Sequence, residues 1–389
     1  MLGDPARTSN YWIEAALSDL QYWYEEKLKS LEVITPEDVE AFIPELLKRG
    51  FVESLVHGNL TGKEAIEISE LPTKILDLKP VESGELRKSH SLSIPKGTNL
   101  IYERDLIDPS NLNSAVNYFT DVGDITCHST RTKLLLLTQC MKEPAFTQLR
   151  TIEQLGYIVR TYLRGSTGQI GLTILVQSER DPKYIESRIE SFLVWFGEIK
   201  LKEMTNEEFE DQKISLIHRL SKDFENLWEE ASHYWSHIHS GYYAFEERYE
   251  DAKMIQQITK SEMEEFYQTA INPKSTKRSK LSIQIKSQKV PVPIELIEES
   301  GLKEKIGQKK IDFEELNRLL KELGLSDQKL TKEVIEDVSM VKPVLVLDGI
   351  DGLRNRLEKT NCAIPHPECK IGTLEIPKKP IENKVWEKV

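Results

Sequence analysis

The sequence predicts an α+β protein, with a mostly antiparallel sheet and helices packed on one of its faces. Three observations predict it. Runs rich in β-branched and aromatic residues recur at 99–105, 114–120, 157–163, 170–177 and 281–286. Two of them flank Arg164-Gly-Ser-Thr-Gly168, a hairpin signal. Long stretches of helical periodicity fill the intervals between the others.

Taken in order, residues 8–31 read as an aromatic-rich helix. Thr35-Pro-Glu-Asp38 is a capping box with proline at the first helical position, opening a helix that Gly50 should stop. Residues 51–57 are strand-like, and Thr61 should cap a helix over 62–78. The polar stretch 80–97 reads as a linker. Beyond it come strands 99–105 and 114–120 and a helix over 130–142. The middle of that helix, Leu134-Leu-Leu-Leu-Thr138, is apolar all round and hence expected to be buried. Pro144 should break this helix and start a second one ending near Leu155. After the hairpin, helices are expected at 182–203, 206–239 and 253–272, and strand 281–286 closes the unit. The tail 291–389 is charged and in part helical in pattern. Its 343–348 run could be a strand or an extended arm, and its prolines and lysines suggest a loosely held end.

An internal echo bears on domain count. Ile34-Thr-Pro-Glu-Asp-Val-Glu-Ala-Phe42 matches Ile258-Thr-Lys-Ser-Glu-Met-Glu-Glu-Phe266 in pattern, and each leads through a helix toward a strand-like run. Chance could produce so short a match. Duplication explains it as two copies of one domain, the first lacking its front.

Composition narrows the function classes. With 39% apolar and 30% charged residues, most of the 389-residue chain should fold around a real core. The net charge of −12 argues against nucleic acid as the main partner. No run of 18 apolar residues occurs, so no membrane span is expected. Four cysteines do not make a disulfide framework in so long a chain. With no secretory signal at the start, a reduced, cytoplasmic protein is the expectation.

Motifs for several chemistries are absent. The phosphate-cradling and dinucleotide glycine patterns do not occur, nor does the GxSxG elbow. A zinc peptidase needs HExxH or its inverse HxxEH, and neither is present. His233 and His237 are four apart on an expected helix, but Ser236 stands where the inverse motif needs glutamate. Cys362-Ala-Ile-Pro-His366-Pro-Glu-Cys369 offers three Cys/His ligands where a closed zinc site wants four. Cys127-His128 has no evident third group to make it a nucleophilic pair. No metal ligand is assigned to this chain.

What is left is a corner. Phe146, Arg150 and Gln154 are spaced to share one helical face, Gly156 is a left-handed stop, and Tyr157 opens the next strand. Arg150 and Tyr157 carry two readings. A base near a helix C-terminus interacts well with the macrodipole, and a tyrosine opening a strand is ordinary. Alternatively, a guanidinium and a phenol held at such a corner can both donate to a peptide carbonyl and to the oxyanion formed from it.

The corner Phe146-Thr-Gln-Leu-Arg150-Thr-Ile-Glu-Gln-Leu-Gly-Tyr157-Ile-Val, followed by Gln177-Ser-Glu-Arg-Asp-Pro-Lys-Tyr-Ile-Glu-Ser-Arg-Ile-Glu-Ser-Phe192, closely resembles the C-terminal half of the insulin-degrading-enzyme-like, pitrilysin-type zinc metallopeptidases. Phe42-Ile-Pro-Glu-Leu-Leu and His57-Gly-Asn-Leu-Thr resemble that family's third domain. The likeness covers about residues 10–290. It implies four homologous α+β domains in two halves that close around a peptide. Residues 1–80 would be the end of domain three, 81–97 a linker, 98–290 domain four, and 291–389 a tail outside the pattern. The zinc, its HxxEH ligands and the glutamate base would belong to an N-terminal half, on the same or a partner chain. By resemblance Arg150 and Tyr157 are the catalytic contacts of this half with substrate carbonyl and oxyanion, and Phe146 lines the substrate pocket. The implied function is the non-zinc-binding half of a metalloendopeptidase that degrades short unfolded peptides, inactive by itself. The alternatives are an inactive peptide-binding or regulatory subunit that pairs with a zinc-bearing half, and a piece of a longer reading frame.

Overall fold

The structure is a computed structural model that describes residues 3–82, 85–86, 90–290, 311–312, 345–347 and 349–360. Chain contacts divide it into two units. Of the described residues, the larger holds those within 1–46, 82–222 and 248–362, and the smaller those within 47–81 and 223–247. These units cut across the boundary expected at residue 80, because the first helix packs with the sheet of residues 99–286.

The larger unit is built on a six-stranded sheet. Its strands are β1 (Asn99–Asp105), β2 (Ser114–Gly123), β3 (Ile158–Ser166), β4 (Gln169–Ser178), β5 (Ser279–Lys286) and β6 (Leu345–Leu347), in the spatial order β6-β1-β5-β2-β4-β3. The pairs β3–β4, β4–β2 and β2–β5 are antiparallel, while β5–β1 and β1–β6 are parallel. β3 and β4 form the expected hairpin, with Gly168 supplying a φ of +75° in its turn. On one face lie α5 (His128–Phe146), α6 (Pro182–Trp195) and α10 (Lys260–Ala270). Leu134, Leu137, Phe192 and Tyr267 from these helices share a core with Tyr118 and Ile174 of the sheet. The opposite face is covered by α1 (Pro5–Leu17), whose Trp12, Ile13 and Ala16 meet Leu100, Phe119 and Ile283.

Several helix boundaries differ from expectation, each for a local reason. The helix expected over 8–31 is two, α1 and α2 (Tyr24–Leu31), because Ser18 bridges to Ser91 and Asp19 N donates to His90 O at 3.3 Å. These bonds satisfy the chain outside a helix. Pro144 does not break α5; it sits inside the helix, whose ladder loosens immediately after it into a π-type segment, Thr147–Ile152. The stretch 206–239 is also two helices, α7 (Asn206–Ser221) and α8 (Leu227–His239), since Asn226 caps the second by accepting from Glu229 N at 2.9 Å. Likewise 253–272 divides into α9 (Glu247–Ile255) and α10, with Thr259 and Glu262 forming the capping box of the latter.

The two halves of the internal echo fold alike but are covered differently. α3 (Pro36–Leu46) and α10 both start at a Thr followed three residues later by an acid. Met263 of α10 is 0% exposed, and Tyr267 within that helix and Ile258 before it are buried, whereas Val39 of α3 is 52% exposed, and Ile43 within that helix and Ile34 before it are exposed. The smaller unit contains α4 (Gly62–Leu76) and α8. The strand expected at 51–57 does not form. Only Arg49–Gly50 pairs, with Lys79–Pro80, because a strand needs a neighbour along its length. Part of the tail docks on the larger unit: β6 extends the sheet beside β1, and Ile350 and Leu353 enter the second core. The Cys362–Cys369 cluster lies outside the described residues.

Candidate functional site

The corner after α5 is shaped by widened turns. Glu153 N donates to Gln148 O at 2.9 Å and Leu155 N to Leu149 O at 3.0 Å, while Leu149 and Leu155 anchor it in the core. The widening places the chain reversal at Gln154, which has φ of 51°. Gln154 therefore does not share a helical face with Phe146 and Arg150. Gly156 is not the left-handed residue either. It is glycine because a Cβ there would lie 1.9 Å from the carbonyl oxygen of Gln177. Tyr157 comes just before β3 rather than inside it.

This geometry brings the three sequence-selected residues together. The Arg150 Cζ lies 4.8 Å from the ring centre of Phe146 and 4.7 Å from that of Tyr157, so the guanidinium is flanked by two aromatic rings. Among the described residues no hydrogen bond or ion pair engages that guanidinium, so its N–H donors remain available. Tyr157 is 83% exposed. All three residues line a cleft of about 1220 Å³ bounded by α5, α7 and β3.

A brace holds the corner from behind. Arg188 of α6 donates from Nε to Glu153 Oε2 at 2.7 Å and from Nη2 to Oε1 at 3.0 Å, and Gln148 Nε2 donates to Oε1 at 2.8 Å. Burial opposes charge on Glu153, but these donors outweigh it and hold the carboxyl below its ordinary value. Sequence reading missed this brace. The partners are far apart in the chain, and nothing in either local pattern pairs them.

The other sequence candidates do not assemble into a site. His233 and His237 lie ring to ring at 4.8 Å, and His233 Nε2 is 3.0 Å from Phe245 O. Cys127 is exposed and accepts from Thr130 Oγ1 at 3.3 Å, an interaction that lowers its thiol, while His128 lies beside Arg131 and Glu250. Cys140 also lines the cleft, but burial pushes its thiol up to about 12. It is no nucleophile at neutral pH. Among the described residues no group of three or more His, Cys, Asp or Glu could hold a metal ion. The donor set therefore does not fit zinc, and no step through zinc is assigned to these residues. Among the described residues, no helix is long and apolar enough to cross a membrane.

The fold defines the class first. Pitrilysin superposes with a TM-score of 0.68 over 92% of this chain and 33% of that one, at 20% identity. Residues 136–235 match the family described as PQQ synthase PqqF-like, C-terminal lobe domain 4. The A-factor-processing enzyme of Saccharomyces cerevisiae is 35% identical over 288 residues, 73% of this chain and 27% of that protein. Human insulin-degrading enzyme is 30% identical over 286 residues, 72% of this chain and 28% of its own length. The chain belongs to the insulin-degrading-enzyme-like family of pitrilysin-type peptidases, and it spans less than a third of the length of these curated relatives.

Proposed function

We propose that this chain is the non-zinc-binding half of a zinc metalloendopeptidase that degrades short unfolded peptides in the cytoplasm. The observation that carries the reading is Arg150, held between the rings of Phe146 and Tyr157 at a cleft with its donors unspent. A planar guanidinium fixed in this way suits a peptide carbonyl. Arg150 orients that carbonyl, the Tyr157 hydroxyl donates to its oxygen as negative charge develops, and Phe146 lines the pocket and restrains Arg150. Zinc, when present in a partner half, supplies the activated water.

The test combines the protein with a separately produced zinc-bearing half of a family member and a quenched fluorescent, unstructured peptide. Arg150→Ala and Tyr157→Phe should each cut turnover by about a hundredfold, the scale for losing one oxyanion donor, with unchanged circular dichroism. Turnover at the parent rate in both variants would reduce the corner to a structural turn. Peptide binding without turnover in the combined sample would favour the non-catalytic, peptide-holding subunit.

A further inference from the structure

The turn that carries Arg150 combines two uncommon backbone features. Thr147–Ile152 is π-helical, closed by the bond from Glu153 N to Gln148 O, and Gln154 follows in the left-handed region although it is not glycine. Both features persist only where surrounding contacts over-determine them. Packing fixes the two ends of the turn. Leu149 and Leu155 are buried, whereas Thr151 and Ile152 between them are exposed.

The middle of the turn is held through Glu153. Its carboxylate closes the turn a second time by accepting from Gln148 Nε2, beside the backbone bond between the same two residues. Arg188 then grips that carboxylate from outside the turn, with Nε on one oxygen and Nη2 on the other. A two-pronged, charge-assisted contact fixes direction as well as distance. The base of Arg188 is firm, because α6 buries Ile185, Ile189 and Phe192 and is tied to β5 through Glu186 and Lys280. The Arg150 guanidinium has no such polar hold among the described residues. Only the rings of Phe146 and Tyr157 bound it, and both residues are exposed. Its placement therefore comes through the backbone of its own turn.

We propose that Glu153 and Arg188 are positioning residues: clamped to each other and to Gln148, they hold the turn in the register that sets Arg150 between the two rings at the cleft. This rests on the peptide-handling reading above and adds to it the residues that act through Arg150. A guanidinium held in this way meets a carbonyl without first having to be ordered, and a displacement of about 1 Å is enough to cost on the order of a hundredfold in rate.

The test uses the whole protein and two readouts. In protein carrying isotope-labelled arginine, the Arg150 signal is identified by its absence from Arg150→Lys, and the currents of the two rings displace its methylene protons. Arg188→Met should return that signal toward the position of an unstacked arginine, with unchanged circular dichroism. Arg188→Lys should do so in part, since it keeps the charge and loses the fork. Gln148→Met removes the other donor and serves where Arg188→Met does not fold. In the combined sample described above, the same variants should lower kcat by about ten- to a hundredfold and leave KM within about twofold of the parent. Folded variants that keep the parent Arg150 signal would overturn the proposal, because a merely structural brace lowers stability alone. A signal that moves while kcat holds, in a sample where Arg150→Ala is slow, would overturn it too. Parent turnover in Arg150→Ala would instead remove the proposed function and leave the signal to decide the brace.

Discussion

At the residue scale, the corner depends on two residues behind its exposed face. Gly156 lets the corner pass over β4, where a Cβ would meet the Gln177 carbonyl at 1.9 Å. Backbone cannot yield there as the end of a flexible side chain could. Gly156→Ala should therefore cost about 2–4 kcal/mol in urea unfolding, and a loss under about 0.5 kcal/mol would contradict the close approach. Glu153 is the second. Its folded carboxyl titrates below its ordinary value, so its contribution is fully present above the unfolded value and is lost as pH falls through the folded one. Glu153→Gln should be less stable than the parent at neutral pH, and the gap should narrow as pH falls below about 4.3. Denaturation midpoints measured across pH read this directly, and a gap independent of pH would remove the ion pair from the account. Phe146, Arg150 and Tyr157 were legible in the sequence because they fall within one short segment. Glu153–Arg188 was not, because pairing across 35 positions leaves no local trace.

At the element scale, local sequence specified element type far better than element ends. The capping box at Thr61 starts a helix where expected, because side chain and backbone exchange bonds within four residues. The break expected at Pro144 failed because the proline is buried in a helix held by packing on both sides of it. The internal echo makes a sharper case. α3 and α10 share a pattern, yet Val39 is exposed where Met263 is buried. Met263→Ala should cost about 2–4 kcal/mol and Val39→Ala less than about 0.5 kcal/mol, measured by urea unfolding of the larger unit. Equal costs would mean that α3 is covered in solution.

At the scale of the whole molecule, the sheet and α6 are joined by buried charge. Lys280 of β5 bonds both Glu186 and Glu190, Arg278 donates to Glu190 at 2.8 Å, and the Tyr118 hydroxyl donates to Glu190 at 2.8 Å. Burial works against charge on Glu190, but Lys280 and Arg278 prevail and hold it below its ordinary value. Removing one cation strands a buried carboxylate, which is costlier than losing the pair together. Lys280→Met should cost about 3–5 kcal/mol, with part of the loss recovered in the double variant Lys280→Met, Glu186→Met. A single variant as stable as the parent would show that water reaches the cluster.

The sequence by itself determined the α+β class, the five long strands, the hairpin and the segment that carries Arg150 and Tyr157. Each depends on residues within a few positions of one another, where periodicity, caps and turn chemistry act. Tertiary structure alone decided that α1 covers the second face of the sheet, that Glu153 and Arg188 brace the corner, and that β3 bounds the cleft with α5 and α7. Those outcomes come from contacts between distant segments, and a single chain read in order carries no signal of which distant residues will meet.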